Sequence, residues 1–353
     1  MATIRNTQLD GWRAFAVLGV MWHHWAPKEW RGPLPFEIGL FFFLTLTGFL
    51  ITRILLRERT QGECSGEKWR SKAYLHFQKR RMMRILVPCY AAMLFAIAVG
   101  ASDIRHHAFA YFGHWSNFHM AFMDGWPSGT AHYWTLAIQM QFYLFWPLLV
   151  FYTPRRFLTG AFLACVAIAP LSRMILDLEF PWIPHSQAIT ITALDYFGIG
   201  ALLALALERG MSVGDARLKW ASWLAFAGYA VLYISAEMGQ RIAGFCYIQQ
   251  TLLSLAFAGL ISSTLAGLGG WLGKVLEHPA AQQVGRLSFG LYLFHTPVPL
   301  FLGYVLPWLW LPFFSGPWLT VRLVAYGLTS WGLAELCWKF LETKSAPPRT
   351  GLQ

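Results

Sequence analysis

A chain of 353 residues that is 56% hydrophobic and only 13% charged departs from the composition of soluble proteins, about a quarter of whose residues are charged, and this excludes a single water-soluble domain. Its formal net charge of +11 requires no nucleic-acid partner, because a membrane protein concentrates Lys and Arg on its cytoplasmic side beside anionic lipid headgroups. Five scattered cysteines, an odd number, supply neither a disulfide framework nor a metal framework.

Windows of roughly 18 or more apolar residues, some only with their flanks included, fall at 14–27, 34–56, 85–101, 133–152, 157–176, 188–207, 218–236, 243–267, 287–306 and 318–338. They predict an all-α, polytopic integral membrane protein with about ten transmembrane helices. The first window lacks a small-residue cleavage site and carries Trp and His where cleavage would fall, so it reads as a retained helix. With the N-terminus in the cytoplasm, the ten basic residues from Arg53 to Arg84 share that side with Arg5, Arg155, Arg156, Arg209, Arg217, Lys219, Lys274, Arg286, Lys339, Lys344 and Arg349. Lys28, Arg31, Arg105, Arg173, Arg241 and Arg322 fall on the other. That bias predicts both termini in the cytoplasm. One transmembrane domain over 1–345 and a short cytoplasmic tail at 346–353 are expected, with no appended soluble domain and no repeat array.

The first span sets Arg13 and the pair His23 and His24 in an apolar run. Arg13 and His24 are eleven residues apart and project from nearly the same helix face, about 16 Å apart along the axis, whereas His23 points about 100° away. Beside Trp22 and Trp25, His24 reads either as an interfacial residue of an aromatic belt or as a group placed for chemistry. The second span starts at Glu37 and contains Thr45-Leu46-Thr47-Gly48, which allows close backbone approach or a helix break. Residues 57–84 form the largest cytoplasmic segment. Arg81 and Arg84 share a helix face there, and their forked donors suit a phosphate-bearing ligand or a lipid headgroup.

The longest outer loop, 102–132, holds Asp103, His106, His107, His114, His119 and Asp124. Their spacing matches no recognised zinc arrangement, and the loop reads as a polar surface for a sugar or similar substrate, with no metal site expected. The fourth span opens with His132-Tyr133-Trp134-Thr135-Leu136 and continues to Gln139, Gln141 and Tyr143, polar groups of the kind that line intramembrane cavities. Asp195 is an acid in an apolar run, and the neighbouring Gly198 and Gly200 suit helix packing. The ninth span carries Ser288, Tyr292 and, near mid-membrane, His295, which suits either helix buttressing or function. The tenth span ends Trp338-Lys339-Phe340-Leu341-Glu342.

Four blocks, in order, resemble the bacterial integral-membrane acyltransferase-3 family. They are Leu9-Asp10-Gly11-Trp12-Arg13-Ala14 with His24; Leu46-Thr47-Gly48-Phe49-Leu50-Ile51; Trp134-Thr135-Leu136 with Gln141-Phe142-Tyr143; and the run Gly285-Arg286-Leu287-Ser288-Phe289-Gly290-Leu291-Tyr292-Leu293-Phe294-His295. Arg81-x-x-Arg84, Leu194-Asp195 with Gly198-x-Gly200, and Phe340-Leu341-Glu342 match more weakly. The resemblance implies transfer of an acyl group, most simply acetyl, from cytoplasmic acyl-coenzyme A to a hydroxyl of a glycan or lipid-linked saccharide, in the bacterial inner membrane. It assigns donor binding to Arg13, Arg81 and Arg84 and catalysis to His24, as general base or as acyl carrier. Asp10, Glu37, Trp134, Gln139, Tyr143, Ser288, Tyr292 and His295 are the expected supporting or acceptor-side residues. Acyl-coenzyme A is a co-substrate, and no tightly bound cofactor is expected. The partners are the donor, the glycan acceptor and membrane lipids.

Two positions depart from the family pattern. Thr47 stands where Ser is common and keeps the hydroxyl. Gln139 and Met140 stand where a Glu is common, so either that acid is dispensable or another, such as Glu37, replaces it beside a histidine. The alternative class is a transporter or flippase of a glycan or small polar solute, since ten spans with buried Arg, His and Asp also suit a translocation path. Exopolysaccharide, O-antigen, peptidoglycan, a lipid-linked oligosaccharide and a small metabolite all fit as acceptor.

Overall fold

The computed structural model describes residues 6–66, 68–240, 242, 244–307 and 317–342, and no strand occurs among them. Arg5, Arg241, Lys344, Arg349 and the tail expected at 346–353 lie outside the described residues. The long helices are α1 (Thr7–Trp25), α2 (Ile38–Ser65), α3 (Trp69–Ala98), α4 (Tyr133–Tyr152), α5 (Leu158–Glu179), α6 (Leu194–Glu208), α7 (Ala216–Glu237), α8 (Gln249–Ala266), α9 (Pro279–Phe294) and α10 (Pro317–Cys337). Nine of the ten apolar windows fall each on one of them, and the window at 287–306 is divided between the second half of α9 and the short helix Pro297–Val305. By length and composition six are able to cross a membrane, namely α2, α3, α4 and, with the short turns that lead into them, α5, α6 and α8. The chain is therefore a multi-pass membrane protein. Helix α1 is less apolar because it carries Asp10, Arg13, His23 and His24, and α9 has only 16 residues before a second short helix, Pro297–Val305, takes over.

Local sequence explains the helix ends. The Asn6 side chain caps α1 by accepting from the Leu9 N–H at 3.0 Å. Pro279 opens α9, where a missing N–H costs nothing, and His278 accepts from the Ala280 N–H. The 57–84 segment is almost wholly helical, since α2 runs to Ser65 and α3 begins at Trp69. The 102–132 segment is built from three short helices, Ser102–His106, Ala108–Phe112 and Ser116–Ala121.

Close crossings at glycine set the packing. A Cβ on Gly48 would stand 2.5 Å from the Phe197 carbonyl oxygen, and one on Gly200 would strike that of Thr45. The Thr45–Gly48 stretch thus stays helical and lets α2 and α6 touch backbone to backbone. At Gly11 a Cβ would collide with the Leu276 carbonyl, and at Gly285 with that of Asp10. This second contact brings α9 against α1, so that Ser288 faces Arg13. Asp195, buried, pairs with Arg173 at 2.7 Å and accepts from Thr251 at 2.6 Å, a satisfied ion pair that ties α6 to α5 and α8. Leu94, Phe145, Leu163, Leu224 and Leu328 are exposed on the outside of the bundle, an apolar surface that a lipid bilayer covers.

Candidate functional site

A cavity of about 670 Å³ opens among α1, α2, α3, α4 and α9, within the size range of small-molecule sites. Guanidinium groups from four helices line it: Arg13 of α1, Arg53 and Arg57 of α2, Arg81 and Arg84 of α3, and Arg286 of α9. Arg13 donates to Asp10 Oδ1 at 3.0 Å and to Ser288 Oγ at 2.9 Å, which holds its fork in place. The Arg81 guanidinium lies over the Tyr143 ring, 5.1 Å from its centre. Gln139 donates to the Tyr143 hydroxyl at 2.7 Å and to Thr47 Oγ1 at 3.2 Å, so these three form one polar wall. Beyond α10, Glu342 closes the basic rim from a π-helical turn. Burial pushes its carboxyl up to about 7, against the pull of Arg84 and Arg13.

The far end of the cavity is formed by Thr135 and Tyr292, whose hydroxyl oxygens are 2.5 Å apart. The other side of the Tyr292 ring packs 5.3 Å from His295 and 5.5 Å from His132. There three imidazoles converge, with His295 centred 4.9 Å from His24 and 5.1 Å from His132. Trp25 Nε1 donates to the His295 carbonyl at 2.8 Å and fixes this end of α1 against α9.

The tautomers follow from their partners. His24 Nδ1 meets the Val20 carbonyl at 2.9 Å and His295 Nδ1 the Tyr292 carbonyl at 2.7 Å. A carbonyl only accepts, so both Nδ1 atoms carry hydrogen and, in the neutral ring, each Nε2 keeps a lone pair. His132 Nδ1 faces Thr296 Oγ1, whose own hydrogen goes to the Gly129 carbonyl at 2.9 Å, so it too donates. The Nε2 atoms of His132 and His295 are buried and meet no hydrogen-bond partner. His24 is exposed, whereas the other two are buried.

The candidate acids fall elsewhere. Glu37 Oε2 stands 3.1 Å from His23 Nδ1, so its carboxylate serves the neighbour of His24 and not His24 itself. Gln139 lies on the cavity wall, and the ring beside His24 is that of His295 rather than a carboxylate or its amide substitute. Gln141 serves structure, donating at 2.9 Å to both the His114 carbonyl and Asn117 Oδ1. Trp134 packs 6.0 Å from Trp126, which stacks on His185 at 4.2 Å.

The structure brings the expected donor residues Arg13, Arg81 and Arg84 to one cavity with Asp10, Gln139, Tyr143, Ser288 and Tyr292 of the expected supporting or acceptor-side set, whereas His24, Glu37, Trp134 and His295 are not among its lining. Arg53, Arg57, Arg286 and Glu342, which also line it, and His132, which packs beside His295, are not among the site residues expected from sequence. Arg53 and Arg57 are indistinguishable from the rest of the positive-inside bias, whereas Arg286 lies inside the matched run from Gly285 to His295 and Glu342 ends the weaker match Phe340-Leu341-Glu342. His132, two residues before the Trp134-Thr135-Leu136 block, offers position as its signal.

A family model described as an acyltransferase domain matches residues 6–333. The O-acetyltransferase OatA of Staphylococcus aureus is 27% identical over 95% of this chain and 56% of its own length. The peptidoglycan O-acetyltransferase OatA of Listeria monocytogenes is 27% identical over 95% of this chain and 55% of its own. The chain thus spans about half the length of the curated relatives it matches. No solved structure matches it.

Proposed function

The chain belongs to the acyltransferase family, and from that premise we propose that it is an O-acyltransferase of the bacterial cytoplasmic membrane, moving an acyl group, most simply acetyl, from cytoplasmic acyl-coenzyme A to a glycan hydroxyl on the far side. The names of its relatives make peptidoglycan the first acceptor to test. In this reading all ten long helices cross the bilayer and both termini are cytoplasmic, because the basic ends of α2 and α3 lie on the Arg13 side. Family membership leaves the transport alternative without support of its own.

The observation that carries the proposal is the division of α1. One end presents Arg13 to a cavity rich in guanidinium groups, and the other presents an exposed histidine whose Nδ1 is already committed to the Val20 carbonyl. The donor's phosphates would lie on Arg81 and Arg84, with Arg13 nearer the pantetheine arm, since forked donors match phosphate oxygens. The arm runs toward Thr135 and Tyr292. At His24 the acceptor O–H gives its proton to Nε2 while its oxygen bonds to the thioester carbonyl carbon. The tetrahedral adduct then breaks its C–S bond, the sulfur takes the proton from Nε2, and the products are the O-acyl glycan and free thiol. An acyl-imidazole on Nε2 is the stepwise form of the same transfer.

The experiment is mass spectrometry of muropeptides from a deletion strain complemented with wild-type or variant chain. His24→Ala should abolish O-acetylation while protein level and membrane insertion persist. Full acetylation by that variant removes His24 from the reaction. Loss of acetyl-coenzyme A binding on replacing Arg81 and Arg84 by Ala is expected separately, and unchanged binding makes those residues a lipid anchor.

A further inference from the structure

The segment between α3 and α4 brings together three side chains that the transfer reaction does not use. Asp103 and His107 lie one turn apart on the short helix Ser102–His106 and its C-cap, and His119 returns to them from the helix Ser116–Ala121. Asp103 Oδ1 is 3.0 Å from His107 Nδ1 and 3.2 Å from His119 Nε2. The two imidazole rings are centred 4.0 Å apart, and the three potential ligand atoms lie within 4.8 Å of one another. A tetrahedral zinc ion with bonds of about 2.0 Å holds its donor atoms about 3.3 Å apart. Two of the three edges are therefore near that length.

The surroundings are those of a ligating carboxylate. Asp103 Oδ2 accepts from the Tyr111 hydroxyl, and Tyr111, itself fully buried, also meets Thr130 Oγ1 at 3.1 Å. An outer hydrogen bond of this kind orients a metal-binding carboxylate. Both rings bring a nitrogen within 3.2 Å of the same Asp103 oxygen, with their centres 4.0 Å apart, and a metal ion there would replace the protons that otherwise bridge them, including the contact of His107 Nδ1 with the Asp103 carbonyl at 3.2 Å. The side chain of His107 is 47% exposed, which leaves an entry path.

We propose that Asp103, His107 and His119 bind a divalent transition metal, zinc first, with the fourth position open to water. Two imidazoles and a carboxylate suit zinc better than calcium or magnesium, which prefer oxygen ligands. The role is mechanical. Through Tyr111 and Thr130 the site grips the segment that reaches His132, so an ion here seats one member of the histidine cluster. The proposal is independent of the acyl-transfer reading.

The test uses the intact chain in detergent with a histidine-free affinity tag, stripped by chelator and titrated with Zn²⁺ and then Co²⁺. Wild type should take up about one zinc per chain and give the intense visible absorption of four-coordinate cobalt. Replacing His107 and His119 by Ala should remove both signals, and His106→Ala, on an exposed neighbour, should leave them. Tyr111→Phe should weaken zinc binding about tenfold. Wild-type protein that takes up no zinc, or that shows only the pale spectrum of aqueous cobalt, overturns the proposal. Both of those outcomes are read on wild type, so misfolding of a variant does not affect them.

Discussion

The Tyr292 hydroxyl stands 2.5 Å from Thr135 Oγ1, and this pair separates the arginine-lined cavity from the rings of His24, His132 and His295. In the proposed reaction the acyl group must pass it. Tyr292→Phe keeps the ring, and Thr135 retains its bond to the His132 carbonyl at 2.9 Å, so stability should change by no more than about 1 kcal/mol. Transfer in proteoliposomes should nevertheless fall by about tenfold or more, since a polar group next to the reacting carbonyl is lost. Acyl-coenzyme A affinity should be unchanged, and wild-type kcat in this variant would make Tyr292 a packing residue.

His295 has a buried, unpartnered Nε2, and its ring is centred 4.9 Å from that of His24. His295→Phe fills the same space without the lone pair. The expected result is a loss of about 100-fold in kcat with KM for the donor preserved. A loss of folded protein in place of a loss of kcat, read by size-exclusion profile, assigns the ring to packing alone.

Burial pushes the Glu342 carboxyl up to about 7 at the rim of a basic cavity. Above that pH it is ionised and repels an anionic donor, so the affinity for acetyl-coenzyme A should fall as pH rises from about 6 to about 8. A coupling of one pKa unit is a factor of about ten. Glu342→Gln should flatten this dependence and bind at the alkaline end as tightly as wild type does at the acid end. Equal pH profiles for the two proteins in a radioligand binding assay would exclude Glu342 as the cause.

The crossing of α1 and α9 leaves no room for a side chain at Gly285. Gly285→Val should cost about 1–3 kcal/mol, lower the thermal midpoint in detergent and part Arg13 from Ser288. Activity should fall with it, whereas Gly160→Ala, at a site with no atom near the new Cβ, should leave both unchanged.

What is readable in the sequence is whatever repeats along one helix. The apolar windows predict where the long helices run, and the eleven-residue spacing puts Arg13 and His24 on one face. Features assembled across helices are hidden. Arg53, Arg57, Arg286 and Glu342 meet only when α2, α9 and the turn after α10 pack around one cavity. Sequence sets Gln139 against a histidine, but its partners are Thr47 and Tyr143. The Asp103, His107 and His119 cluster depends on a reversal at His114, whose φ of +58° turns the chain back, and a non-glycine residue in that conformation carries little signal in sequence.

Helix α1 is gripped at both ends, by Gly11 and Gly285 at the arginine end and by Trp25 on the His295 carbonyl at the other. It therefore acts as a strut that cannot shorten or slide during turnover. If the carbonyl carbon must always arrive at the same imidazole, a longer acyl chain differs only in the tail it pushes past His24. Chain-length tolerance then becomes a property of the exit space that the acceptor also occupies, and enlarging the arginine cavity would not relax it.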